Sequence, residues 1–121
     1  MKNIPNFRIG IDLVDVTRFK KIPYETRIKF YKKIFTRSEI KYCLKYKNYS
    51  ERFAAKFAIK EAVKKSIPDK ISMVEIETYH LKSKPRIKLI KLEKKYKFQV
   101  SLSHEKDLAV AVVIAENNLY K

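Results

Sequence analysis

The feature that most restricts how this chain can fold is a change of hydrophobic period near Pro68. Between Thr17 and Ser66 the apolar residues recur at helical spacing. Beyond Pro68, "SMVEIETYH" (Ser72 to His80), "PRIKLIKL" (Pro85 to Leu92), "KFQVSLSH" (Lys97 to His104) and "LAVAVVIAE" (Leu108 to Glu116) alternate with period 2. Ahead of the helices, "FRIGIDLV" (Phe7 to Val14) is short and β-branched and carries the chain's one glycine, Gly10, so it reads as a buried strand with a close backbone approach. A strand, then helices, then a run of antiparallel strands implies an α+β domain with helices packed on one sheet face.

The helical half divides at identifiable residues. Thr17 to Lys33 is expected as two pieces broken near Pro23. "TRSE" (Thr36 to Glu39) has capping-box spacing and starts a helix through about Tyr46. The longest helix runs from about Ser50 to Ser66 and is ended by Pro68. "LKSKP" and "HEKD" read as hairpin turns. No repeat, low-complexity tract or Gly/Ser linker divides the chain, so residues 1–121 are expected to form a single domain, and 45% hydrophobic residues supply a real core.

Charge narrows the partners. With 29 Lys and Arg against 13 Asp and Glu, the net charge is +16, which suits an acidic protein, nucleic acid, an anionic membrane or a polyphosphate ligand; part of the excess can equally be compositional. The single Cys43 excludes an intrachain disulfide and a cysteine-rich zinc site, leaving a structural thiol. No apolar run approaches the roughly 18 residues of a membrane span and no signal-peptide core is apparent, so a cytoplasmic protein is expected.

Two carboxylates stand out. In "KFAIKEAVKK" (Lys56 to Lys65), Glu61 lies among four lysines. On a helical wheel Ala55, Ile59, Ala62 and Val63 form the buried stripe and Lys56, Lys60 and Lys64 a basic row, while Glu61 flanks the apolar face. It is either the i,i+4 partner of Lys65 or a metal ligand. Asp12, on the strand face of Gly10 and Val14, is a second carboxylate without an evident partner. Two carboxylates from separate elements suit Mg²⁺, which is commonly held by one or two of them with phosphates and water completing its shell.

"IGIDLVDVTRF", "IFTRSEIKYC", "RFAAKFAIKEAVKK" and "VSLSHEKDLAVAVVI" together resemble, in order and over nearly the whole chain, the signature blocks of the holo-acyl-carrier-protein synthase family, the small phosphopantetheinyl transferases. The resemblance implies transfer of 4′-phosphopantetheine from coenzyme A to a serine of an acyl carrier protein, a step serving fatty acid biosynthesis, with release of adenosine 3′,5′-bisphosphate. It further implies a requirement for Mg²⁺, and a homotrimer with coenzyme A bound at each subunit boundary. By that resemblance Asp12 and Glu61 are the metal ligands and Lys65 meets the phosphates. Lys56, standing where the family usually has arginine, and Lys60, of the K-E dipeptide, are assigned to the cofactor, although a solvated charge is as good a reading of Lys60. His104 closes the S-x-S-H motif beside the coenzyme A phosphates. Lys84 and Pro85 belong to a G-K-P turn in which Ser83 replaces the glycine, and "IPDKIS" (Ile67 to Ser72) replaces a glycine loop.

Asp12, Glu61, Lys65 and His104 are therefore the expected catalytic residues, in a chemistry of positioning and charge neutralisation that needs no protein nucleophile. The carrier serine's proton passes to metal-bound water, to Glu61 or to Asp12. Carrier proteins of this kind are acidic, and Arg18, with Lys21 and Arg27, is expected to dock them. Neither a nucleic-acid nor a membrane partner is expected. The alternative function is a small basic nucleic-acid-binding module with stacking aromatics, and a non-catalytic adaptor for an acidic protein is a third.

Overall fold

The structure, a computed structural model, describes residues 6–118. Strand β1 (Phe7–Asp15) is followed by helix α1 (Thr17–Lys20), a 3-10 turn at Tyr24–Thr26, α2 (Ile28–Ile34), α3 (Arg37–Leu44) and the long α4 (Tyr49–Ser66). Four strands complete the domain: β2 (Ile76–Leu81), β3 (Lys84–Leu89), β4 (Tyr96–Glu105) and β5 (Leu108–Asn117). This is an α+β architecture, and the period change near Pro68 marks its midpoint. The strands do not form one sheet, however. β1, β5 and β4 make a three-stranded antiparallel sheet in that order, and β2 and β3 make a separate two-stranded ribbon. The segment from Thr17 breaks into three pieces rather than two, because Pro23 opens a 3-10 turn that precedes α2. The stretch from Ser72 likewise begins with a 3-10 turn, Met73–Glu75, before the strand starts at Ile76.

Local chemistry explains the boundaries. Asp15 accepts hydrogen bonds from the Thr17 backbone N–H (2.9 Å) and hydroxyl (2.8 Å), turning the chain out of β1. The capping box forms as its spacing implies: the Thr36 hydroxyl accepts from the Glu39 N–H, and the Glu39 carboxylate accepts from the Thr36 N–H at 2.8 Å. The β4–β5 hairpin turns through Lys106 at φ 55° and the β2–β3 hairpin through Lys82 (φ 52°) and Ser83 (φ 66°), so the second keeps left-handed backbone without a glycine.

The core sits between α4 and the β1–β5 pair, extended by an aromatic cluster of Phe19, Tyr31, Phe35 and Phe53. Rings of Tyr31 and Phe35 lie 4.6 and 4.8 Å from that of Phe53. Gly10 is the point of closest strand–helix approach. A β-carbon placed there would lie 1.9 Å from the Ala62 carbonyl oxygen, so only glycine lets β1 rest on the backbone of α4. The substituted loop after α4 is tied down by Asp69, whose carboxylate accepts from Lys95 at 2.7 Å and from the Tyr96 hydroxyl.

Candidate active site

α4 separates the candidate residues onto two faces. Phe57, Glu61 and Lys65 are spaced by four residues and line one of them. There Asp12, carried in by the Gly10 approach, accepts a hydrogen bond from the Lys65 ammonium at 2.9 Å, and the Ile11 carbonyl accepts another at 3.2 Å. Lys65 therefore pairs with Asp12, not with Glu61 as helical spacing allows. The Asp12 carboxylate and the neighbouring charge of Glu61 both raise the Lys65 pKa, the Asp12 hydrogen bond most. Glu61 is half-buried and has no hydrogen bond or ion pair among the described residues. Arg18 lies over the Phe57 ring at 5.3 Å, one helical turn from Glu61. Lys21 and Arg27 are exposed on the neighbouring segment.

The other face of α4, about 140° away from Glu61 at Lys56, meets β2, β3 and the end of β4. Here Arg52, Lys56, Tyr42, His80, Pro85 and His104 line a cavity of about 190 Å³. Tyr42 and His80 stack at 4.8 Å between ring centres, and Lys56 lies over the Tyr42 ring. Burial and the charges of Lys56 and Arg52 lower the His80 pKa. The structure thus brings Lys56, Pro85 and His104 together in one chain. Lys84 is exposed beside them at the start of β3, outside the cavity lining.

Lys60 departs from its expected role. It is no member of a solvated row: the residue is fully buried, its ammonium donates to the carbonyls of Ile34 (2.8 Å), Met73 (3.0 Å) and Ile76 (2.7 Å), and it forms an ion pair with Glu39. An ammonium has three protons, and the interior takes them all, so Lys60 holds the fold together and offers nothing to a ligand. Lys56, only 4% exposed, is also interior to the fold, but it borders the cavity. Cys43 is buried and its thiol is pushed up to about 12 by that burial, as befits a structural thiol.

Several cavity residues escape a reading of the sequence. Arg52 precedes Lys56 by one turn and is legible afterwards as the start of the same row. Tyr42, Thr78 and His80 come from elements distant in sequence and carry no local signal.

An α+β domain with Asp12 and Glu61 on one side of a long helix and, on the other, a cavity that Arg52, Lys56 and His104 line together with Glu51 suits a protein that handles phosphorylated groups. The family model of the 4′-phosphopantetheinyl transferase superfamily matches residues 8–113. The holo-[acyl-carrier-protein] synthase of Ehrlichia ruminantium is 37% identical over 114 residues, covering 88% of this chain and 93% of that protein. The crystal structure of the Helicobacter pylori synthase in complex with coenzyme A superposes with a TM-score of 0.75 at 32% identity, covering 89% of this chain and 99% of that one. The Thermotoga maritima synthase gives the same TM-score and identity, covering 91% of this chain and 63% of that chain. The chain belongs to the holo-acyl-carrier-protein synthase family of this superfamily.

Proposed function

We propose that this protein transfers 4′-phosphopantetheine from coenzyme A to a serine of an apo acyl carrier protein. The observation that carries this reading is the two-sided arrangement on α4: a carboxylate pair with Lys65 on one face, and a cavity lined by Lys56, Arg52 and His104 on the other. Asp12 and Glu61 would hold Mg²⁺, a hard cation that an all-oxygen donor set of two carboxylates suits. That ion supplies charge neutralisation at the phosphates when bound. Lys65 would add a point charge beside them, and Lys56, His104, Pro85 and the flanking Lys84 are assigned to the cofactor. Among the described residues none of these groups is arranged as a nucleophile with its base. The attacking hydroxyl would be the carrier's, and its proton would pass to Asp12, to Glu61 or to water.

The two faces of one α4 point apart, so a complete site calls for a second copy. The outer face of the main sheet supplies a surface for it: Phe7, Ile9, Ile11 and Leu13 of β1 are 47–68% exposed, and the register sets Ile9 against Ile114, Ile11 against Val112 and Leu13 against Val110. A continuous apolar sheet face of this kind marks an association surface. A homotrimer that buries it and joins the carboxylate face of one subunit to the cavity of the next is the assembly we infer. The carrier docks at Arg18, with Lys21 and Arg27 extending the basic surface. No helix among the described residues is long and apolar enough to cross a membrane.

The decisive experiment is mass spectrometry of an apo acyl carrier protein after incubation with this protein, coenzyme A and Mg²⁺. A gain of the phosphopantetheine mass is expected, and an unmodified carrier would refute the function. Mixing an Asp12→Ala chain with a His104→Ala chain tests the shared site. Partial recovery of activity is expected, whereas two inactive chains that stay inactive when mixed in one assembly would refute it.

A further inference from the structure

We infer that Glu39 and Thr78 are positioning residues for Lys56: a buried carboxylate orients the Thr78 hydroxyl, and that hydroxyl in turn aims the Lys56 ammonium at the anionic ligand of the cavity. The inference rests on the reading of Lys56 as a cofactor contact. Glu39 is 1% exposed and both of its carboxylate oxygens are hydrogen-bonded. One carboxylate oxygen accepts from the Thr36 N–H and the Lys60 ammonium, the other from the Thr78 N–H at 2.8 Å and the Thr78 hydroxyl at 2.6 Å. An ionised carboxylate only accepts, so the Thr78 hydroxyl must donate to Glu39. Its lone pairs are then left for Lys56, whose ammonium donates to the Thr78 Oγ1 at 2.7 Å and to the Thr78 carbonyl at 3.3 Å. Two of its three protons are thereby committed, and the third remains for whatever occupies the cavity.

Charge bookkeeping makes the same point. Lys60 neutralises Glu39 directly, so Lys56 is the surplus cation of the buried cluster: it forms no ion pair among the described residues, Glu77 acts on it only at longer range, and the one carboxylate lining its cavity, Glu51, is not paired with it. Burial lowers its pKa, with Cys43, Glu39 and Glu77 opposing. A desolvated cation on the wall of a cavity is matched by an anion, and in this reaction the anion is a phosphate of coenzyme A. Lysine carries its charge on a flexible four-carbon stem, so an oriented acceptor behind it removes rotamer freedom that binding would otherwise have to remove.

Thr78→Val tests this, because valine keeps the branched shape and strand preference while deleting the hydroxyl. The KM for coenzyme A is expected to rise roughly three- to tenfold, the range of one ordinary net hydrogen bond, because Lys56 keeps the Thr78 carbonyl, with kcat and the carrier KM within about twofold of wild type. Thr78→Ser should restore the KM. In a Lys56→Ala background, Thr78→Val should produce no further rise, since the relay then has nothing to aim. An unchanged coenzyme A KM in Thr78→Val, with a raised one in Lys56→Ala, overturns the relay and leaves the transferase function standing. Equal effects of Thr78→Val with and without Lys56 also overturn it, as general loosening of β2. If Lys56→Ala itself binds coenzyme A like wild type, the assignment of Lys56 falls and the relay with it.

Discussion

The two faces of α4 carry similar residue types and treat them in opposite ways. On the closed side Lys60 and Glu39 are wholly desolvated and saturated with partners, and Lys56 is held at two points on Thr78. On the open side Lys65 is exposed and donates to the Asp12 carboxylate and the Ile11 carbonyl, and Glu61 has no close partner among the described residues. Saturation fixes geometry and leaves nothing to exchange. Incomplete pairing leaves ligand positions that a metal ion and a phosphate can fill. One helix thus serves as scaffold and cavity wall on one side and as an open carboxylate surface on the other, and substitutions on the two sides should fail in different ways.

The largest effect is expected from the closed side. Lys60→Met keeps the length of the side chain but strands the Glu39 carboxylate in the core, and breaking a buried pair in this way costs about 3–5 kcal/mol. The loss should appear as a lower denaturation midpoint, and adding Glu39→Gln should return part of it. A Lys60→Met protein as stable as wild type but unable to bind coenzyme A would break the contrast, because Lys60 would then face the ligand.

The open side should lose activity without losing the fold. Glu61→Gln keeps shape and hydrogen-bonding capacity and removes the charge, so transfer should fall at least about 100-fold, in the range seen when charge stabilisation of a transition state is removed, while thermal unfolding changes little. Asp12→Ala should behave alike. Wild-type turnover of either variant at limiting Mg²⁺ would show that these carboxylates are not the metal's ligands.

How far the sequence carries follows the same division. On the open side the sequence singles out Asp12, two residues after the glycine that seats β1 on α4, and Glu61, off the helix's apolar stripe, but not the Asp12–Lys65 pair, which joins residues 53 positions apart. The elements were legible too, since Pro23, Thr36 and Pro68 punctuate them. The closed side was not. A helical wheel sorts Lys60 with exposed lysines because it knows the angle of a side chain and not what packs against that face; here the neighbours are α3 and the β2–β3 ribbon, brought in from more than a dozen residues away. Glu39 was read as a capping residue, which it is, but its other oxygen serves Thr78, 39 positions away. The division into two sheets was equally hidden, because period 2 shows that a segment is a strand and not which strand it joins.

Arg18 gives a smaller effect that sharpens the open side. It is exposed over Phe57, one turn from Glu61. Arg18→Glu replaces attraction by repulsion, and the carrier KM should rise about tenfold at physiological salt, where screening limits its range to about 8 Å. The coenzyme A KM should stay, and the variant's salt dependence should weaken or reverse. An unchanged carrier KM would move docking away from this helix.

The smallest effect lies in the turn that leads the ribbon to the closed side. Ser83 holds a left-handed backbone at φ 66° immediately before Lys84 and Pro85, a conformation that a β-carbon disfavours. Glycine adopts it without that clash but gives the unfolded chain more freedom, so the two effects oppose each other. Relief of the left-handed penalty, roughly 1–2 kcal/mol, exceeds the entropic loss of up to about 1 kcal/mol, and Ser83→Gly should stabilise the protein by about 0.5–1 kcal/mol on the difference of those two terms. Since Pro85 borders the cavity, the coenzyme A KM is the informative second measurement. It should not change, because the ribbon's position is set by Lys60 and Glu39 at its far end and not by the turn. A gain in stability accompanied by a raised KM would mean that the strained serine turn itself shapes the cavity wall, and the closed side would owe part of its rigidity to strain.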